Sequence, residues 1–207
     1  MIELFLSAFV SFFVVIDPPG CAPIFYGLTT GATHKQRNSM AIRAVLTATA
    51  ILLVFALVGE PLLRMLGIEL SSFRIAGGIM LFFIALEMVF EKRTQRREDR
   101  AQKVKETPEV EDISIFPMAM PMIAGPGSIA TVMLLMARAQ GMEANIAVLG
   151  ALFANLLLLL VTLLAVGPLL RLLGQQVEAV ITRVLGVILA ALAVQFVIDG
   201  LRGSALF

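Results

Sequence analysis

The chain has 207 residues, of which 59% are hydrophobic and 15% charged, with a formal net charge of +1 at pH 7. Soluble domains run at about 45–50% apolar and about 25% charged residues, so roughly 122 apolar residues (59% of 207) exceed what a soluble domain of this size can bury. This balance excludes a soluble enzyme, a disordered chain and a nucleic-acid partner, and at about 20 residues per bilayer crossing it supplies roughly six helices.

The rarer residues narrow the class further. A single cysteine, Cys21, leaves no intrachain disulfide, and one cysteine with one histidine cannot build a Cys/His zinc site. Continuous apolar runs, rather than alternating ones, argue against a transmembrane β-barrel. Met1-Ile2-Glu3-Leu4 carries no basic stretch, so a cleaved signal peptide is not expected.

In chain order, the first apolar run, Leu4–Ile16, stops at Asp17-Pro18-Pro19-Gly20 and resumes as Cys21–Thr30, with Pro23 inside it. A polar turn, Gly31–Arg37, contains His34, which reads as surface. Two uninterrupted spans follow, Ser39–Leu66 and Ser72–Phe90. The segment Glu91–Asp112 then holds seven Lys/Arg and seven Asp/Glu and reads as a solvated loop. Beyond it, Ile113–Ala124 meets Gly125-Pro126-Gly127-Ser128 and resumes as Ile129–Ala139. Ala144–Leu173 and Val180–Asp199 complete the set. Pieces of about 10–14 apolar residues do not span alone, whereas each broken pair, joined, reaches about 26. The expectation is an all-α, polytopic membrane protein of six transmembrane helices, the first and fourth of them broken.

A shift of 107 positions lays the chain on itself: Pro19-Gly20 falls on Pro126-Gly127, Pro61-Leu62-Leu63-Arg64 on Pro168-Leu169-Leu170-Arg171, and Leu66-Gly67 on Leu173-Gly174. After a two-residue insertion, Arg74-x-x-Gly77 matches Arg183-x-x-Gly186. The chain therefore divides into a first three-helix repeat (1–90), a charged cytoplasmic loop (91–112) and a second repeat (113–207). Three spans per half is an odd number, so the halves insert with opposite orientation, as in many secondary transporters. Charge agrees. Lys35, Arg37, Arg43, the seven basic residues of the loop, Arg171 and Arg183 gather on one face, against Arg64, Arg74, Arg138 and Arg202 on the other. The positive-inside rule makes the first face cytoplasmic and leaves both termini outside, in a bacterial inner membrane.

The two breaks carry the functional expectation. Proline and glycine interrupt a helix, and the freed backbone groups survive at membrane depth only inside protein or beside a water-filled cavity. Matched interruptions in two halves point to a midplane transporter site. The half-helices that start near Cys21 and Ser128 offer N–H groups and a positive dipole end to a carboxylate. Those that end at the breaks offer carbonyls to an ammonium group, Na⁺ or a proton carrier, which together suits a small zwitterion.

Candidate solute- or ion-binding residues are Asp17, Pro18, Pro19, Gly20 and Pro23 at the first break, Gly125, Pro126, Gly127, Ser128 and Thr131 at the second, and Asn155 within the fifth span. Asp17 is equally suited to capping the second half-helix, Thr131 to bonding its own helix backbone, and Asn155 to bonding a neighbouring helix. Arg74 and Arg183 read either as interfacial anchors or as symmetric gating charges. Glu87, Gln195 and Asp199 fall near span ends and read as solvated, Gly77 and Gly78 as close helix contacts, and the methionines 118, 120, 122, 133 and 136 as packing. No catalytic residue, metal ligand or resident cofactor is expected; H⁺ or Na⁺ coupling is compatible with the site, as is a homo-oligomer in the bilayer.

Asp17-Pro18-Pro19-Gly20-Cys21-Ala22-Pro23-Ile24-Phe25 resembles the D/N-P-x-G-x-x-P-x-F signature of the MarC-related (UPF0056) integral membrane proteins. Pro121-Met122-Ile123-Ala124-Gly125-Pro126-Gly127-Ser128-Ile129-Ala130 is similar to that family's second block, and Arg74-x-x-Gly77-Gly78 also fits. Pro19 departs from the larger apolar residue often found between Pro and Gly. The resemblance implies a six-helix fold, a place among LysE-type transporters and, for some members, small neutral amino acids as substrates. The resulting expectation is a secondary transporter of a small solute working by alternating access, with a non-transporting membrane scaffold or an exporter of another metabolite as rivals.

Overall fold

The computed structural model describes residues 1–105 and 112–204, which form helices with no strand among them. In chain order these are α1 (Ile2–Ile16), α2 (Pro18–Leu28), α3 (His34–Met65), α4 (Leu70–Val89), α5 (Lys92–Lys105), a wide-turned segment (Ser114–Ile123), α6 (Pro126–Arg138), α7 (Met142–Leu164) and α8 (Val166–Arg202). Among the described residues, five stretches are long and apolar enough to cross a membrane, with Ile2–Leu28 counted as one. They become six when Ser114–Ile123 and Pro126–Arg138, bent by 53° at their junction, are counted as one broken span. The polytopic, all-helical architecture is as expected.

Two boundaries differ. The fifth span ends at Leu164 rather than Leu173, and a new helix starts at Val166. Pro168 is the reason: it has no N–H to offer the Leu164 carbonyl, but as the third residue of α8 it occupies a first turn, where none is required. The other difference is larger. Lys92–Lys105 of the charged segment is a helix, and its Arg93 and Arg97 are buried. The remainder of that segment, 106–111, lies outside the described residues, as does the side chain of Arg171.

The most extensive helix pair joins α4 to α8, and glycine makes its close approach possible. A Cβ at Gly78 would lie 2.7 Å from the Ala193 carbonyl oxygen, one at Gly200 2.8 Å from that of Ser71, and one at Gly186 2.9 Å from Met88 Cβ. The start of α4 therefore meets the end of α8 and the reverse, so the pair runs antiparallel, in the small-residue packing that substitutes for hydrophobic driving force in lipid. Around this pair the elements of each half exchange neighbours. The first broken span packs on α7 and α8, and the segment from Ser114 to Arg138 packs on α3 and α4. Leu46, Val54, Leu57, Phe83, Leu157 and Val187 face outward, an apolar surface that suits acyl chains.

Candidate functional site

The first break turns on one residue. Asp17 adopts φ 58°, ψ 66°, the left-handed conformation that Asp tolerates better than most side chains. Its N–H closes α1 on the Phe13 carbonyl at 2.9 Å, and its Oδ1 accepts the Gly20 N–H at 3.2 Å. Pro18, with no N–H to satisfy, is the first residue of α2. Asp17 is thus both the end of one half-helix and the cap of the next. Gly20 is required by space, because a Cβ there would fall 2.3 Å from Asp17 Oδ2.

The second break is built differently. Phe116 (φ −125°, ψ 127°) and Met120 (φ −132°, ψ 124°) are extended, each immediately before a proline, as the steric demand of proline on its predecessor requires. The chain between them coils in wide turns, with the Met118 N–H on the Ile113 carbonyl and the Ala124 N–H on that of Ala119. Gly125 then heads α6 with Pro126 in its first turn, and no side chain caps this end. The first-turn N–H groups are left open. A Cβ at Gly125 would meet the Pro121 carbonyl oxygen at 2.3 Å; one at Gly127 would meet Ile84 Cδ1 at 2.6 Å and Val15 Cγ1 at 3.4 Å. Gly127 brings the two breaks together.

A third element completes the site. Three arginines of α5 reach in. The Arg93 guanidinium donates to the Val15 carbonyl at 2.7 Å and also touches Met88 Sδ. Arg97 donates to Asp17 Oδ2 at 3.2 Å and to the Met122 carbonyl at 3.5 Å, so one guanidinium ties the first break to the second. Arg96 pairs with Glu87 at 2.6 Å, although Glu87 reads as solvated from its place near a span end. Burial, and then the neighbouring Arg97, draws the Arg93 guanidinium down to about 10, still charged at neutral pH. Between these groups lies a cavity of about 270 Å³, lined by the three arginines, Val15, Ile84, Pro121, Met122 and the run Gly125–Ser128. It is at the level of Ile84, five residues from the end of α4, or about 7.5 Å at 1.5 Å per residue. That is about midway between the middle of the helix and its α5 end.

The sequence comparisons agree with the motifs at the two breaks. The model of the MarC family of integral membrane proteins matches residues 2–205. The chain belongs to the MarC family. Similar relatives include UPF0056 membrane proteins of Methanocaldococcus jannaschii (38% identical, covering 99% of both chains), Archaeoglobus fulgidus (35%, 97% of this chain and 93% of the relative) and Bacillus subtilis (35%, 98% and 96%). No solved structure matches the chain.

In this MarC-family chain the expected site residues fall into two groups. Gly125, Pro126, Gly127 and Ser128 line the cavity, and Asp17 joins them through Arg97. Pro18, Pro19 and Gly20 form the first turn of α2 and shape the break without lining the cavity, and Pro23 follows within α2. Thr131 is buried one turn further along α6, its hydroxyl without a hydrogen-bond partner. Asn155 is fully buried, donating to the Phe9 carbonyl of α1 at 2.9 Å and to the Ala151 carbonyl at 3.0 Å, and stands away from the cavity. Arg74 and Arg183 lie at opposite ends of the α4–α8 pair, with Arg183 joined to Glu91. Near Arg74, Asp199 pairs with Arg138 rather than being left to solvent, and the Arg138 guanidinium lies 4.5 Å from the centre of the Phe196 ring.

The residues that sequence reading missed in this MarC-family site are Arg93, Arg96 and Arg97. A signal was present: Arg93 and Arg97 are four residues apart, on one helical face, directly after an apolar span. Equal numbers of acids and bases around them disguised it as a solvated stretch.

Proposed function

We propose that this MarC-family protein is a secondary transporter of a small solute, most simply a small neutral amino acid, working by alternating access around the two breaks. The observation that carries the reading is that Arg97 bridges Asp17 of the first break and the Met122 carbonyl of the second, beside the uncapped start of α6. Open N–H groups and arginines suit a carboxylate. Asp17 and the carbonyls of Val15 and Met122 suit an ammonium group; Arg97 now holds Asp17 and Met122, and Arg93 holds Val15. A solute that displaces Arg97 from Asp17 loosens α5 from both breaks, which gives binding a structural consequence.

The inverted arrangement of the two halves is supported by the antiparallel α4–α8 pair and by the exchange of neighbours between halves. Ion pairs stand toward both ends of that pair, Arg183 with Glu91 and Arg138 with Asp199, where inner and outer gates are required. In this reading the protein resides in the inner membrane with both termini outside, it performs no enzymatic step, and H⁺ or Na⁺ provides the coupling.

Purified protein in proteoliposomes, offered a panel of labelled amino acids, tests the proposal. Uptake of at least one small neutral amino acid is expected, abolished by Gly127→Leu, which wedges the breaks apart, while membrane insertion is retained. Folded protein that moves none of them removes the substrate assignment.

A further inference from the structure

The charges around the cavity do not balance. Among the described residues, Arg97 is paired with Asp17 and Arg96 with Glu87, but Arg93 makes no ion pair. Its partners are a carbonyl oxygen and a thioether sulfur, and only 7% of the residue is exposed. A buried charge that must share one carboxylate, Asp17, with the neighbouring Arg97 is costly. Here it faces the same cavity of about 270 Å³ as the uncapped first turn of α6, which carries a partial positive charge of its own. Two positive features that would repel one another have been brought to one space, and among the described residues neither has a carboxylate of its own.

We propose that this cavity is an oxyanion site, in which Arg93, Arg96 and the first-turn N–H groups of α6 hold a singly charged oxyanion group. Arg93 supplies a charge with no ion-pair partner among the described residues. Arg96, more than half exposed, can turn one guanidinium edge from Glu87 to the ligand, and a planar guanidinium matches two oxygens of a carboxylate or phosphate at once. The α6 N–H groups complete the cradle as they do at other helix-terminal anion sites. Gly125 and Gly127 line the cavity and hold that turn close to its neighbours, since a Cβ would meet the Pro121 carbonyl oxygen at the first and Ile84 at the second. Arg97 belongs to the frame, since Asp17 and the Met122 carbonyl already engage it. The site accepts the carboxylate of a transported solute if the transport reading holds, but its charge imbalance exists without that reading. The same chemistry comes from two sources: a free oxyanion in water, or an anionic lipid headgroup.

The test uses the full-length protein at constant ionic strength. Thermal unfolding in detergent is followed with inorganic phosphate, sulfate or acetate against chloride, and in nanodiscs with an anionic phospholipid against a zwitterionic one. A saturable rise in Tm with a free oxyanion, weakened tenfold or more in apparent affinity by Arg96→Gln and by Arg93→Gln, is the expected result. A rise with the anionic lipid alone, equally dependent on these arginines, supports the site with the headgroup as its source. Arg96→Gln keeps the question answerable should Arg93→Gln fail to fold, because Arg96 is largely exposed. Stabilisation no greater than chloride gives in every arm, or stabilisation unchanged in the arginine variants, overturns the proposal. Failure of amino-acid uptake with oxyanion binding intact would remove the transport reading and leave the site standing.

Discussion

The Arg97 guanidinium stands 3.2 Å from Asp17 Oδ2, with 9% and 2% of the two side chains exposed. Two charges this deep must satisfy each other, because the cost of removing either partner is that of leaving the other buried alone. Arg97→Gln should therefore lower stability by about 3–5 kcal/mol, seen as a large drop in the thermal unfolding midpoint in detergent. Adding Asp17→Asn to that variant should restore much of the loss, since the stranded carboxylate disappears. An Arg97→Gln protein that unfolds like the wild type would show that the pair contributes little to stability. Asp17 was legible from its place between an apolar run and Pro18-Pro19-Gly20. Its partner was not, because 80 residues separate the two in the chain.

The helices show the same division. Proline and glycine act on their immediate neighbours, so both breaks are marked in the sequence within a residue or two: α1 ends at Ile16 and α6 starts at Pro126. The pairing of α4 with α8 depends on what lies opposite each glycine. Gly78→Leu should force the helices apart, since even a Cβ falls 2.7 Å from the Ala193 carbonyl. Overpacking of this kind costs about 1–3 kcal/mol, measurable as a lower unfolding midpoint. Gly27, where an added Cβ would touch nothing within 4 Å, should accept alanine with little change. The charge-rich α5 went unrecognised as a packed helix because composition reports how many charges a segment holds, not which of them find partners. Arg93 and Arg97 point inward while Glu98 stays outside, exposed to solvent.

In the molecule as a whole, the proposed three spans per half carry a topological consequence. On a background of Cys21→Ser, a single cysteine at Thr94, after the third span, should react with a membrane-impermeant thiol reagent from one face. One at Ser204, after the sixth, should react from the opposite face. By the charge distribution the Thr94 face is expected to be the cytoplasmic one. Labelling of both from the same face would mean an even number of crossings between them and would dismiss the inverted arrangement. The cavity sets a second constraint on the assembly. It is bounded by α1, α4, α5 and the second break, so it exists only when both halves and the segment between them are packed together.

Composition and local pattern were enough for the helical class, a chain of five to six candidate spans and the places where two helices break. Each of these follows from properties a residue carries with it: hydrophobicity, the missing N–H of proline, the missing Cβ of glycine. The contents of the site came from folding. Asp17, Arg97 and Met122 meet because α5 turns back onto the breaks, and Arg93 is left to share Asp17 with Arg97 only because of what surrounds it. Electrostatic energy depends on distance and burial, and neither is a property of a residue until the chain has packed around it.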